Sequence, residues 1–368
     1  MNAPAKPEDP RRILFIGKRH YTNKDALEER FGRIYQLPYH WARRGAKVRL
    51  WLVDYHGREA RVAEDAGLHV TSAPALSWRT PGLFMASAFR FRPRVIVASG
   101  DCYIGLLGWL LACLCGAGFV FDIYDKYDEF AAYRSPPGMN LFAFLRRRAA
   151  RRFYASRPLL LVLDDRPAAR NIVVPNGVDA AVFFPEDASA CRARLGLPDG
   201  KLIGYFGSME PARGVDDLVQ AVAQLRQRGE DVRLVLCGRT LGDERFDRDW
   251  ILCRGLVPHQ EVPAYINACD VVTLPYRQSA LLDASASCKI VEYLCCERPL
   301  VSTRTPNFVE NFAEHAALLG EGLCNPGDPV DLARAIAWQL QHKKVLPAPR
   351  NLDWDEIALR ALRALAPP

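Results

Sequence analysis

The sequence predicts an α/β protein built from two doubly wound domains, and three observations carry that expectation. Short apolar runs ending in glycine or aspartate recur along the chain, each followed by a longer helical stretch, the rhythm of buried parallel strands and their crossover helices. The 368 residues are 49% hydrophobic and 25% charged, which suits a globular protein of about two domains. Between the two series lies Ile172-Val173-Val174-Pro175-Asn176-Gly177, a strand followed by a strong turn signal. The domains are therefore placed at 1–170 and 171–350, with a tail over 351–368.

The first series opens with Arg12 to Gly17, a short apolar strand ending in glycine. The loop Lys18 to Lys24 precedes a helix through Ile34 to Leu37, which ends near Arg43-Arg44-Gly45, and Lys47 to Val53 is the second strand. Gly17 and Gly32 would let backbone approach a ligand at strand ends, where open parallel sheets bind. Lys18, Arg19 and Lys24 make the loop basic, which suits an anion or acceptor contact as well as a solvated loop. Val95 to Asp101 is a further strand. Ile104 to Phe121 is almost wholly apolar and approaches the ~18 residues of a membrane span. Gly116-Ala117-Gly118 breaks it, however, and Phe119 to Asp122 reads as a strand, which leaves a core or interface helix.

Asp122, Asp125, Asp128 and Glu129 crowd eight residues just past that strand. Mutual repulsion raises carboxylate pKa values, so Asp125 or Asp128 could act as a general base; acidic caps for the next turn are the other reading. Met139 to Arg157 interleaves apolar residues with Arg146, Arg147, Arg148, Arg151, Arg152 and Arg157 and holds no acid. On one helix that pattern suits an anionic membrane surface, and a solvated charge run is the alternative. No nucleic-acid-binding signature accompanies it, so no nucleic acid is expected. Leu159 to Leu163 reads as a strand and Asp164 to Pro167 as a turn.

The second series alternates in the same way. Leu202 to Gly207 is a strand, Ser208 to Asp216 a loop, and Leu218 to Gln227 a helix. Val232 to Leu236 is a strand leading to Cys237-Gly238-Arg239, and Ile251 to Pro258 follows with Gly255, Leu256 and Val257. Glu261 to Asn267 is a helix, Val271 to Pro275 a strand, and Gln278 to Cys288 a loop. Ser287 to Cys296 reads as a helix that Glu297-Arg298-Pro299 stops, before the strand Leu300-Val301-Ser302. In that helix Ile290, Val291, Tyr293 and Leu294 form the buried face, and Glu292 is expected to point elsewhere. Lys289 in the first turn is poorly placed for the helix dipole, which an anion bound at that N-terminus would explain.

Charge and cysteines bound the function only loosely. The net charge of +7 fits anionic small substrates, a membrane surface or nucleic acid. The eleven cysteines show no metal-type spacing. Cys113, Cys115, Cys295 and Cys296 sit in apolar runs, the pattern of reduced buried thiols in a cytosolic protein. Residues 1–12 lack the apolar core of a signal peptide, so a cytoplasmic location is expected.

Lys289-x-x-Glu292-Tyr293-Leu294, followed by Pro299-Leu300-Val301-Ser302, resembles the donor-site helix of family 4 (group 1) glycosyltransferases. Val174-Pro175-Asn176-Gly177-Val178-Asp179 with Phe183 resembles that family's entrance to its C-terminal domain. Ser208 to Asp216 resembles its diphosphate loop, with Arg213 at the lysine position and Ser208 in place of the arginine. Arg239 and Lys289 are candidates to supply the missing charge. The resemblance is strong over Val173 to Val301 and weak over the first domain.

What the resemblance implies is a GT-B architecture: two facing Rossmann-like domains, an interdomain cleft, and a C-terminal helix that returns to the first domain. It implies transfer of a sugar from a nucleotide-diphosphate sugar, UDP- or GDP-linked, to an acceptor such as a polyprenyl-linked saccharide in cell-surface polysaccharide synthesis. Neither a metal nor another cofactor is expected, and retention of configuration is. Gly17, Gly207, Ser208, Arg213, Gly238, Arg239, Leu256, Val257, Cys288, Lys289 and Glu292 would bind the donor, with Arg213 and Lys289 stabilising the leaving diphosphate and Glu292 holding the ribose. Lys18, Arg19, Lys24, Arg146, Arg147 and Arg151 would meet the acceptor or a membrane at its inner face. Ala284 stands where many retaining relatives carry a glutamate, and Tyr124 where a histidine is common. A sugar-nucleotide epimerase and a non-catalytic scaffold that binds membrane or RNA are the rival readings.

Overall fold

The computed structural model describes residues 12–365, apart from 22–23, 58, 76, 78, 128–139, 164–169 and 240–245. The chain forms two compact units, Met1–Asn176 with Trp354–Pro368, and Gly177–Asp353. The division falls inside the Pro175-Asn176-Gly177 turn, beyond the expected residue 170.

In the first unit, β1 (Arg12–Lys18) leads to a small hairpin, β2 (His20–Tyr21) and β3 (Lys24–Asp25), then α1 (Gly32–Arg43), β4 (Lys47–Asp54), β5 (Arg61–Asp65) and β6 (Leu68–Pro74). There follow α2 (Arg79–Phe91), β7 (Val95–Ser99), α3 (Cys102–Cys115), β8 (Gly118–Ile123), α4 (Leu141–Arg148), β9 (Arg151–Tyr154), α5 (Arg157–Leu163) and β10 (Asn171–Val173). The sheet runs β10-β9-β8-β7-β1-β4-β6-β5, parallel except where β5 pairs antiparallel with β6. Ile13, Leu14, Phe15 and Ile16 on β1 are all fully buried, as expected of a central strand covered on both faces.

Helix α3 explains the apolar run that resembled a span. Asp101 caps it by accepting from the Tyr103 and Ile104 N–H groups, and Gly116 ends it in the left-handed conformation. Among the described residues no helix is long and apolar enough to cross a membrane.

The arginine-rich stretch is not one helix. Asn140 caps α4, which stops at Arg148, and the chain turns into β9, so Arg151 and Arg152 lie on a strand. The α4 residues Leu141, Phe142 and Leu145 are buried, with Phe142 against Phe121 at 5.5 Å. The apolar side expected to dip into a membrane is thus spent on the unit's own core. Leu159 to Leu163 is helical rather than extended, because the Ser156 hydroxyl accepts from the Leu159 N–H and Pro158 suits a first helical turn.

A buried ion pair ties the unit together. Arg33 on α1 donates to both carboxylate oxygens of Asp122 on β8, at 2.6 and 3.0 Å, and also to the Val174 carbonyl and Asn176 Oδ1. Asp122 is therefore neutralised inside the fold instead of facing a crevice with Asp125. The last helix, α14 (Trp354–Ala364), packs on α1 of this unit, where Trp41 donates to the Ala358 carbonyl at 2.7 Å and Asp355 pairs with His40 and Arg44.

The second unit contains α6 (Ala188–Leu195), β11 (Lys201–Phe206), α7 (Val215–Gln227), β12 (Val232–Cys237), β13 (Ile251–Cys253), α8 (Val262–Ala268) and β14 (Val271–Leu274). It continues with α9 (Ala280–Asp283), α10 (Cys288–Cys295), β15 (Leu300–Thr303), α11 (Pro306–Val309), α12 (Ala313–Leu319), β16 (Leu323–Cys324) and α13 (Pro329–His342). Its sheet, β13-β12-β11-β14-β15-β16, is parallel throughout. Glu297 adopts φ 51° just after α10, which turns the chain sharply into β15.

Asp122→Ala should destabilise the protein by about 3–5 kcal/mol in chemical denaturation, since it leaves Arg33 charged and buried without its partner. A loss below about 1 kcal/mol would show that the pair does not organise the unit.

Candidate functional site

Strand order alone marks a site in the second unit. From β11 the chain moves by α7 to β12, and after β13 it returns by α8 to β14 on the other side of β11. The switch point lies between β11 and β14, and ligands of open parallel sheets bind beyond the carboxyl ends of such strands. Gly207 and Ser208 follow β11, and Pro275 and Tyr276 follow β14.

The two loops are held together tightly. Gly214 has φ +67°, and a Cβ there would stand 1.8 Å from the Pro275 carbonyl oxygen. Arg277 donates its backbone N–H to the Ala212 carbonyl and both arms of its guanidinium to Asp217, at 2.6 and 2.7 Å. Gly207 and Gly238 approach as closely. A Cβ on Gly238 would fall 1.9 Å from the Gly207 oxygen, and one on Gly207 would fall 2.0 Å from Lys289 Cε. With φ of 150° and 148°, both positions favour glycine, and at Gly238 the backbone contact excludes a side chain as well.

Lys289 thus lies across the end of β11, carried by the first turn of α10, which holds no acidic residue. Arg213 approaches from the other loop, its guanidinium 5.2 Å from the centre of the Tyr276 ring. Tyr276, 2% exposed, joins these groups, because its hydroxyl lies 3.1 Å from the hydroxyl of Ser287, the residue preceding α10. Burial opposes ionisation of the Tyr276 phenol. Lys289 and Arg213, with the hydrogen bonds from Ser287 and Arg213, outweigh it and bring the pKa below its usual value. Burial likewise works against the Arg213 cation, but Tyr276, Tyr205 and Glu210 beside it raise its pKa. Two fixed cations and a helix N-terminus are the parts of an anion cradle.

The remaining donor-side residues are placed as follows. The Tyr205 hydroxyl donates to the Ser208 carbonyl, and Ser208 Oγ lies 3.3 Å from Glu210. Cys288 is half-buried at the first position of α10, and Arg239 is exposed directly after Gly238. Leu256 is 71% exposed, whereas Val257 packs against the core. Glu292 is 9% exposed and belongs to an unbroken buried run from Ile290 to Leu294. It does not point away from the packed face, because this short helix is covered all round. Ala284 is buried and Asp283 half-buried, with the Asp283 Oδ1 atom inside and lacking a hydrogen-bond partner. Burial raises the Asp283 carboxyl above its usual range, against the hydrogen bond at Ser279.

In the first unit the expected contacts resolve differently. A Cβ on Gly17 would fall 2.6 Å from Ile34 Cγ2, so that glycine admits helix α1 rather than a ligand. Lys18 is buried 3.3 Å from Asp101 and 4.7 Å from the centre of the Tyr127 ring. Arg19 pairs with Asp25 at 2.8 Å and Asp54 at 3.3 Å, and Lys24 with Glu29 at 2.8 Å. The basic loop is neutralised by acids of its own hairpin and of distant strand ends, pairings its linear order does not display. Asp125 is half-buried and accepts from the Tyr21 hydroxyl at 3.3 Å. Asp128 lies outside the described residues. Arg146 and Arg151 are half-buried and Arg147 is exposed.

Sequence reasoning missed Tyr276. Its signal was its place, directly after the Val271 to Pro275 strand end, but a lone tyrosine there reads as core.

This parallel-sheet architecture is the GT-B fold. Two solved structures are similar over the whole chain: sucrose-phosphate synthase from Thermosynechococcus elongatus (TM-score 0.72, 17% identity, 96% of this chain and 98% of that one) and Anabaena HepE in complex with UDP (0.70, 16%, 96% and 99%). Residues 200–342 match the family model described as glycosyl transferases group 1, and this part of the chain is a group 1 glycosyltransferase domain. D-inositol 3-phosphate glycosyltransferase of Stackebrandtia nassauensis is 33% identical over 199 residues, 49% of this chain and 42% of the relative. The 2-deoxystreptamine glucosyltransferase of Streptomyces kanamyceticus is 28% identical over 223 residues, 56% of this chain and 54% of the relative. The chain thus spans about half the length of these relatives.

On raising the pH, one phenol should ionise ahead of the other tyrosines in a near-ultraviolet titration. Tyr276→Phe should abolish that first step and Lys289→Met should move it upward. An unchanged curve in both variants would overturn the arrangement.

Proposed function

We propose that the chain transfers a sugar from a nucleotide-diphosphate sugar to an acceptor. The observation that carries this reading is the convergence of Arg213 and Lys289 on Tyr276 at the switch point of the second sheet. As the bond between sugar and phosphate breaks, negative charge grows on the diphosphate. The Arg213 fork, the Lys289 ammonium and the N-terminal turn of α10 stabilise that charge without reorganising. Because the protein supplies these charges itself, the transfer is proposed to run without a bound metal.

Glu292 would accept from the ribose hydroxyls. The Gly255-Leu256-Val257 backbone would meet the base, and the Asp283 oxygen would take a hydroxyl of the sugar. Two named proteins support a uridine or guanosine donor: HepE solved with UDP-glucose, and the GDP-mannose-dependent phosphatidylinositol monomannoside mannosyltransferase of Mycolicibacterium smegmatis, 31% identical over 152 residues. The second name also supports a lipid-borne acceptor, here a polyprenyl-linked saccharide at the inner face of a membrane in polysaccharide synthesis. Retention of configuration is the proposed course, with the leaving phosphate taking the acceptor's proton. Asp125 is the base if the product is inverted.

UDP or GDP at about 100 times its dissociation constant should stabilise the protein by roughly 2.7 kcal/mol, read as a rise in melting temperature. Glu292→Ala should lose most of that rise, and the bound nucleotide should slow alkylation of Cys288. No shift with UDP, GDP or ADP would refute the proposal.

A further inference from the structure

We propose that the face of the first unit built by α2, α3 and α4 docks on the surface of an anionic lipid bilayer. The inference begins with α3, which is apolar on its outer face as well as its inner one. Its small residues face inward: a Cβ on Gly105 would meet Leu145 and Phe121 at 2.9 Å, and one on Gly108 would meet Ala98 at 2.6 Å. Ile104 and Leu111 are buried beside them, and a second set of large apolar residues faces outward. Tyr103, Leu110 and Leu114 are 47%, 45% and 57% exposed, at spacings of seven and four residues that put them on one stripe. Leu107 is half-exposed on the same stripe. Helix α2 touches α3 and adds Leu83, Met85 and Phe89, each between 43% and 47% exposed. A surface helix normally turns charged residues outward, yet α3 has none of either sign. An exposed apolar stripe on a surface helix marks a candidate interaction site.

Charge identifies the partner. Neither Asp nor Glu occurs in α2, α3 or α4. The acids that flank α3 in sequence, Asp101 and Asp122, are fully buried and engaged by Lys18 and Arg33. Cations border the stripe instead. Arg90, Arg92 and Arg94 are exposed, and the backbone carbonyl of Arg94 accepts the Gly118 N–H, which places that residue beside the C-terminal end of α3. On α4, Arg147 and Arg148 are exposed. The Arg148 guanidinium lies 5.2 Å from the centre of the Phe144 ring, which meets Trp109 of α3 at 5.1 Å. An apolar stripe edged by guanidiniums matches the boundary between acyl chains and phosphate headgroups. A second copy would bring a like-charged rim against this one, which disfavours self-association.

The proposal stands on the first unit alone, and it gives the membrane-borne acceptor of the preceding section a surface to work from. The test uses the full chain in flotation with phosphatidylcholine vesicles, with and without phosphatidylglycerol. Wild type should float only with the anionic vesicles and be released by high salt. Leu110→Glu with Leu114→Glu, and separately Arg147→Glu with Arg148→Glu, should each lower binding about tenfold. Both double variants should keep the wild-type melting shift with nucleotide, which reads the second unit and shows that they are folded. Wild type that does not float, or variants that float equally well, would overturn the proposal. So would a wild-type dimer that Leu110→Glu with Leu114→Glu separates without any vesicle binding, since a second copy would then cover the face.

Discussion

The ends of β11 and β12 come so close that Gly238 has no room for a side chain, and Lys289 lies across Gly207. Much of the candidate site follows from this contact. Lys289 can cross Gly207 only if α10 starts close to the end of β11. That start brings Ser287 to the Tyr276 hydroxyl, and Tyr276 in turn supports Arg213. The Gly214 contact with Pro275 and the Arg277–Asp217 pair hold the second loop to the first. The cations are thereby fixed before any anion arrives, so binding need not order long flexible side chains.

The first unit uses the same sheet geometry for a different end. Its own switch point lies between β1 and β7, where Lys18 and Asp101 emerge and neutralise one another. Arg19 and Arg33 are likewise matched by Asp25, Asp54 and Asp122. Charges that looked available in the sequence serve the fold. What this unit leaves unmatched is apolar: the outer stripe of α3, whose inner face of glycines lets the helix lie close to the sheet. The two units therefore present different chemistry, one a charged cradle and the other a greasy face edged with arginine.

The family match lies entirely within the second unit, from residue 200 to 342. Close approach of strand ends and loops demands particular backbone angles, and such demands leave readable marks: a Cβ on Gly214 or on Gly238 would fall on a backbone carbonyl oxygen. The first unit is held by apolar packing and paired charges, for which many residue combinations serve equally well.

Local chemistry was legible from residues alone. The strand that ends at Gly207, the helix break at Gly116, the turn at Asn176-Gly177 and the misplaced cation Lys289 each announce themselves within a few positions. Partners distant in the chain were not legible. Arg19 meets Asp54 and Arg33 meets Asp122 across 35 and 89 positions, and only the folded sheet brings them together. The strand order that sets the switch point, the burial of Glu292 and the role of Tyr276 belong to the same class. Segments with weak local preference were also decided by context: Ser156 and Pro158 made a helix of Leu159 to Leu163, and pairing with β8 drew Arg151 and Arg152 into a strand. Sequence by itself determined the alternation of strands and helices and the glycines where the backbone must bend, because backbone angles and side-chain periodicity act over a few residues. Tertiary structure decided which charges are spent inside and which apolar side chains are left outside, because burial and pairing depend on what the rest of the chain places opposite.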